Sequence, residues 1–220
     1  EINKKVYFYR SRVMNEIIRK YFLSYINMLK VVEYRGIKVN PRYFITQENF
    51  DKDYGDCETI EAIKEKLGYL TFGSDDKKIL LCWFKERKLG PSVRSIFDVM
   101  QTEKIKKALV VADEGVTPGS KEILKNLKIC EKVIIDVWTL EESMIFAPDH
   151  IYVPAHRICS IKEKKNLFKS YGVTKTQIPN IKSDDVMVKY LGASKGQLIQ
   201  IIRDSDTNPE MKIISYRLVV

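Results

Sequence analysis

The sequence predicts two domains in series: an α/β domain over residues 1–146, with a mostly mixed sheet and flanking helices, and a small α+β domain over 147–220. Three observations predict this. Ala108–Ala112 (ALVVA) and Lys132–Val137 (KVIIDV) are near-continuous apolar runs on either side of a helical stretch, the pattern of parallel strands buried on both faces. Ala147-Pro148-Asp149 then breaks the pattern and reads as a linker. Beyond it, two short helices, each followed by glycine, combine with two strands.

Met14, Ile18, Tyr21, Tyr25, Met28 and Val32 recur every three or four residues, so the chain from Ser11 reads as one amphipathic helix ended by Gly36. After Tyr43–Glu48 comes an acidic, turn-rich stretch. Thr59–Leu67 reads as a short helix. Tyr69–Gly73 and Ile79–Phe84 read as strands joined by a Gly73-Ser74-Asp75-Asp76 turn. Val93, Ile96, Phe97 and Met100 give Ser92–Thr102 helical spacing, and Thr117–Leu127 is the helix between the two apolar strands. In the smaller domain, Ile161–Tyr171 and Asp184–Leu191 are helices stopped by Gly172 and Gly192. Gln197–Arg203 and Lys212–Val220 are strands. The last alternates, with Ile214, Tyr216, Leu218 and Val220 on one side and Ser215 and Arg217 on the other.

The 220 residues carry a net charge of +9, and residues 151–220 alone hold 12 basic against 6 acidic side chains. That excess fits a polyanionic or acidic partner, and it equally fits a solvated lysine-rich surface. Cys57, Cys82, Cys130 and Cys159 are scattered without a C-x-x-C pair, which argues against a zinc ribbon and suits a reducing compartment. No apolar run approaches the ~20 residues that span a bilayer, and no secretory leader is expected.

The C-terminal third carries motifs in a fixed order. They are His150-Ile151-Tyr152-Val153-Pro154-Ala155-His156, Thr176-Gln177-Ile178-Pro179-Asn180-Ile181, Lys189-Tyr190-Leu191-Gly192 with Lys195-Gly196-Gln197, Ile201-Ile202-Arg203, and the terminal Ser215-Tyr216-Arg217-Leu218-Val219-Val220. Over about 70 residues this resembles the fifth subunit shared by eukaryotic nuclear RNA polymerases I, II and III, whose C-terminal domain is similar to a small archaeal polymerase subunit. Tyr43–Glu48 and Ala108-Leu109-Val110-Val111, followed by Thr117-Pro118, resemble that family's N-terminal jaw domain, a restriction-endonuclease-like fold. The chain departs from the family pattern in having Asp184-Asp185 for Asp-Pro, Thr117-Pro118-Gly119-Ser120 for Thr-Pro-Ser-Ala, and a longer Asp204–Met211 turn.

The resemblance implies a non-catalytic polymerase subunit in the nucleus, with no cofactor. Its smaller, assembly domain docks on the largest subunit among other polymerase subunits, and its jaw lies near downstream double-stranded DNA. A homologous subunit of a viral polymerase would look the same.

The DNA-proximal candidates are Thr117, Pro118, Gly119, Ser120 and Lys121, with Lys125 on the same helix. A strand end leading into a helix N-terminus suits a phosphate, and the same residues suit ordinary capping. The partner-binding candidates are Lys189, Tyr190, Arg203, Tyr216 and Arg217, since Arg and Tyr anchor many interfaces. Tyr190 and Tyr216 fit a core role equally well.

A nuclease is the competing reading. Glu86-Arg87-Lys88 follows a strand, with Asp75 and Asp76 upstream, and Glu163-Lys164-Lys165 repeats the three-residue pattern. Nothing in the spacing makes these carboxylates converge on one metal ion. His150 and His156, six apart with Pro154 between, do not have the spacing of a metal pair, and no metal site is expected.

Overall fold

The computed structural model describes residues 2–74, 77–90, 92–205 and 211–220, with side chains from Val13 onward. It divides into two compact units, and the boundary falls between Ile145 and Phe146. Both are mixed α/β structures with mixed sheets.

The larger unit is built on a four-stranded sheet. Its strands are β1 (Tyr69–Phe72), β2 (Ile79–Trp83), β3 (Lys107–Ala112) and β4 (Ile134–Thr139), in that order across the sheet. β1 runs antiparallel to β2, while β2, β3 and β4 are parallel. Every residue of β2 is buried, which is why its sequence shows no alternation. Leu80, Cys82, Ala108 and Val110 pack beneath α4 (Val93–Thr102) and beside α5 (Pro118–Cys130).

The first helix, α1 (Ile2–Tyr34), buries Ile18, Tyr21, Tyr25, Met28 and Val32, the stripe read from its spacing. Tyr25 stacks on Trp83 at 5.8 Å, and the Trp83 indole N–H donates to Ser24 Oγ at 2.9 Å. Between α1 and β1 lie α2 (Gln47–Tyr54) and α3 (Ile60–Leu67). A short helix, α6 (Leu140–Ser143), follows β4.

One expectation changes here. The acidic stretch after Tyr43–Glu48 is not all turn, because α2 starts at Gln47 with Thr46 as its cap. Phe50, fully buried, anchors it against Phe22, Tyr25 and Tyr54. Asp75 and Asp76 of the expected turn lie outside the described residues.

In the smaller unit the strands are β5 (Ala155–Ile158), β6 (Asn180–Ile181), β7 (Leu198–Asp204) and β8 (Lys212–Val219), arranged β5-β7-β8-β6. β7 and β8 form an antiparallel pair in the centre, and β6 runs parallel to β8. Helix α7 (Ile161–Tyr171) covers one face, where Leu167 and Phe168 meet Leu198 and Leu218. Helix α8 (Val186–Leu191) covers the other, where Val188 meets Ile199, Ile201 and Val219. Both helices stop at glycines with left-handed backbone, Gly172 and Gly192 (φ 62° each), where a Cβ would be strained.

The last strand therefore departs from simple alternation. Leu218 and Val219 point to opposite faces and both are buried, while Ile213 and Ile214 at the other end are both exposed. Burial changes along the strand because the helices cover only one end of it. Asp185 caps α8, accepting from the Met187 N–H at 2.8 Å, so the helix begins without the family's proline. In the Asp204–Met211 turn, residues 206–210 lie outside the described residues.

Candidate functional site

The Thr117–Lys121 segment sits where β3 hands over to α5, at the C-terminal ends of the parallel strands. Thr117 Oγ1 accepts from the Ser120 N–H at 3.4 Å and lies 2.9 Å from Ser120 Oγ. The Thr117 N–H donates to Leu89 O at 3.3 Å, tying the cap to the loop after β2. Pro118 has no N–H to offer, and Ser120 is fully buried. The Gly119 N–H is thus the one donor of the first turn that neither capping nor the proline ring removes. Pro118, Gly119 and Lys121 are exposed, and a Cβ added at Gly119 would meet open space. Arg87 and Lys88 lie close by, joined to Glu114 at 2.5 and 3.2 Å. The loop is capped and also cationic, so it could meet a phosphate by charge and one backbone donor, with no base readout.

The five candidates in the smaller unit do not form one patch. Tyr190 is 2% exposed; its hydroxyl accepts from the Ala147 N–H at 3.3 Å and its ring packs edge-on against Phe146. It belongs to the core of its unit. Tyr216 is half-buried with the α7 cluster and accepts from Gln200 Nε2 at 3.1 Å. Arg203 and Arg217 are exposed on the opposite face, as the β7–β8 register requires. Arg217 Nη1 donates to Asn180 O at 3.3 Å, beside a hollow of about 440 Å³ that His156, Asp184 and Asp185 also line. Lys189 is half-buried on α8.

Of the carboxylates in the nuclease reading, Glu86 and Glu163 have other partners. Glu86 accepts from Ser92 Oγ at 2.7 Å. Glu163 closes the α7 capping box by accepting from the Ser160 N–H at 2.7 Å, and it also binds Arg157 at 2.7 Å. The Arg157 bond, with the Ser160 bonds behind it, lowers the Glu163 carboxyl to about 2. Because the folded value is depressed, this contribution is complete above the unfolded carboxylate range and is lost as pH falls toward 2. An NMR titration should place the Glu163 midpoint near 2, and Arg157→Ala should move it up; a midpoint near 4 in the unsubstituted protein would refute the pairing.

His150 Nδ1 accepts from the Tyr152 N–H at 3.3 Å, and His156 Nδ1 lies 2.6 Å from Pro154 O. Among the described residues, no group of three or more His, Cys, Asp or Glu is placed to hold a metal ion, and no helix is long and apolar enough to cross a membrane. All four cysteines are free thiols, and burial pushes Cys82 up to about 12.

Reading by motif missed the ion pair behind the sheet. Lys64 on α3, buried, binds Asp113 at 2.7 Å, and Tyr21 donates to the same carboxylate at 2.8 Å. The signal was thin: one lysine on the apolar side of a short helix and an aspartate just past an apolar strand.

A family profile described as RNA polymerase Rpb5, C-terminal domain, matches residues 147–219. Over 204 residues the chain is 28% identical to the Caenorhabditis elegans DNA-directed RNA polymerases I, II, and III subunit RPABC1, covering 88% of this chain and 92% of that protein. It is 22% identical over 190 residues to Arabidopsis thaliana DNA-directed RNA polymerase V subunit 5A, covering 85% and 83%. Over 72 residues, 33% of this chain, it is 43% identical to DNA-directed RNA polymerase subunit Rpo5 of Archaeoglobus fulgidus, of which it covers 92%.

Proposed function

Given that the chain belongs to the Rpb5 family of DNA-directed RNA polymerase subunits, we propose that it works in transcription as a non-catalytic subunit of a nuclear polymerase. The similarity to the nematode subunit supports this most, because at 92% of that protein it takes in both units. The smaller unit docks on the largest polymerase subunit. The archaeal relative supports a self-sufficient role for such a unit, since 92% of that protein is matched over only 72 residues.

The docking surface is the face of β7 and β8 that α8 leaves open, with Arg203 and Arg217 as anchors and Lys189 beside it. Tyr190 acts from beneath by holding α8. Tyr216, on the other face, is not part of this surface. The larger unit is the jaw and lies near downstream duplex DNA, with Pro118, Gly119 and Lys121 facing a phosphate and Thr117 and Ser120 shaping the turn.

Arg203→Glu combined with Arg217→Glu in the full chain is expected to lower co-purification with the largest subunit without lowering the melting temperature. Undiminished recovery would remove the docking role from this face. DNA affinity of the chain should be weak and fall steeply with salt, because phosphate neutralisation alone drives it. Lys121→Glu should weaken it further, and tight salt-insensitive binding would contradict the proposal.

A further inference from the structure

The two non-glycine residues with left-handed backbone among the described residues, Lys104 and Lys132 (φ 55° each), line the same basin. The basin holds about 670 Å³ and sits at the N-terminal ends of the parallel strands. β3 is six residues long, so Thr117 lies at the far end, roughly 20 Å away. Each parallel strand opens on lysine here: Lys77 and Lys78 before β2, Lys104, Lys106 and Lys107 around the start of β3, and Lys132 before β4. Arg35 completes the wall.

Part of this charge has a structural use. Three helices end at the basin, α1 before Arg35 and Gly36, α4 before Lys104 and α5 before Lys132, and each end carries about half a negative charge. Asp136 holds Arg35 at 2.7 Å. Together these offset two or three of the seven cations. Glu103 and Glu131 adjoin the two left-handed lysines but are not among the lining residues. The remaining lysines surround a concave space.

The backbone adds an independent sign. Glycine holds a left-handed turn without the Cβ penalty, so lysine at both turns is the less stable choice. Left-handed backbone is ordinary one residue past a helix cap, where both lysines sit; it is the choice of lysine over glycine, made twice at one cavity, that points to function.

We propose that this basin binds a compact polyphosphate, a small ligand with two or more phosphoryl groups close together. Among the described residues, the lining holds no aromatic side chain on which a nucleobase could stack, which disfavours single-stranded nucleic acid. A duplex is far wider than a basin of about 670 Å³, so at most its phosphate edge could reach the rim. An acidic peptide adding as a strand would need an open sheet edge, and the basin lies across strand ends instead. Lysines supply strong point charges that suit clustered phosphoryl oxygens.

The test is calorimetric titration of the full chain with inorganic tripolyphosphate at about 0.1 M salt. One saturable site is expected. Lys104→Glu with Lys132→Glu should weaken it roughly tenfold or more, and Lys165→Glu in the smaller unit should leave it unchanged. Lys104→Gly with Lys132→Gly separates the roles: relief of backbone strain should raise the melting temperature while affinity falls. A drop in both would mean that the lysines serve the helix ends, and the proposal fails. It fails equally if tripolyphosphate affinity is indifferent to all these substitutions. It fails too if poly-glutamate or duplex DNA binds this basin more tightly than tripolyphosphate does.

Discussion

Asp113→Ala is expected to destabilise the larger unit by about 3–5 kcal/mol, because it strands a buried ammonium. Lys64 is 1% exposed at its side chain, and Asp113 is 19% exposed. The Lys64 ammonium also donates to Lys85 O at 3.1 Å, which cannot replace a counter-charge. Burial, with Asp113 beside it, holds the Tyr21 phenol far above its usual value, so Tyr21 remains the donor to the carboxylate. In a unit of this size the loss corresponds to a melting-temperature drop on the order of 10 °C.

Asp113→Asn should fall between, keeping the hydrogen-bonding shape but losing the charge. Tyr21→Phe should cost only about 1 kcal/mol, the ordinary worth of one hydrogen bond. Chemical denaturation of the four proteins checks the order. If Asp113→Ala cost less than about 1 kcal/mol, the pair would not be holding α1, α3 and β3 together. The double change Lys64→Met with Asp113→Leu should recover much of the loss, since an apolar pair often does as well as a buried ionic one.

What the sequence revealed depends on how local each signal was. The α1 stripe, the apolar β2 and β3 and the glycine stops of α7 and α8 are each written within one element, and all appear in the structure. Helix α2 was hidden because QENFDKDY offers only Phe50 and Tyr54 to a helical period, and their burial depends on Phe22 and Tyr25 far away in sequence. Strands β5 and β6 are four and two residues long, too short for a period to show. Tyr190 reads equally as an interface or a core tyrosine until α8 is laid on the sheet, when it turns inward. The basic basin was legible only as lysine before each of three strands, a pattern with no meaning until the strands are known to be parallel neighbours. The Thr117 loop was legible as a cap, and its geometry is that of a cap; its charge is what supports the DNA proposal.

Leu198→Ala should cost about 2–5 kcal/mol, because Leu198 is fully buried among Cys159, Ile178 and Leu218. A unit of this size has roughly 5–10 kcal/mol of total stability, so much of it would go. Ile214 shares the alternation that leads to Leu218, and sequence alone ranks the two alike. The structure does not: Ile214 is 51% exposed and Leu218 is 7% exposed, so Ile214→Ala should stay well under 1 kcal/mol. Hydrogen exchange on the β7 and β8 amides resolves this unit within the full chain. Protection should collapse in Leu198→Ala and persist in Ile214→Ala. Similar losses in both would mean that the two helices cover the whole of β8, contrary to its burial pattern. The contrast also separates folding from docking. Leu198→Ala should reduce recovery with the largest subunit by unfolding the unit, whereas Arg203→Glu with Arg217→Glu should reduce it while exchange protection is unchanged.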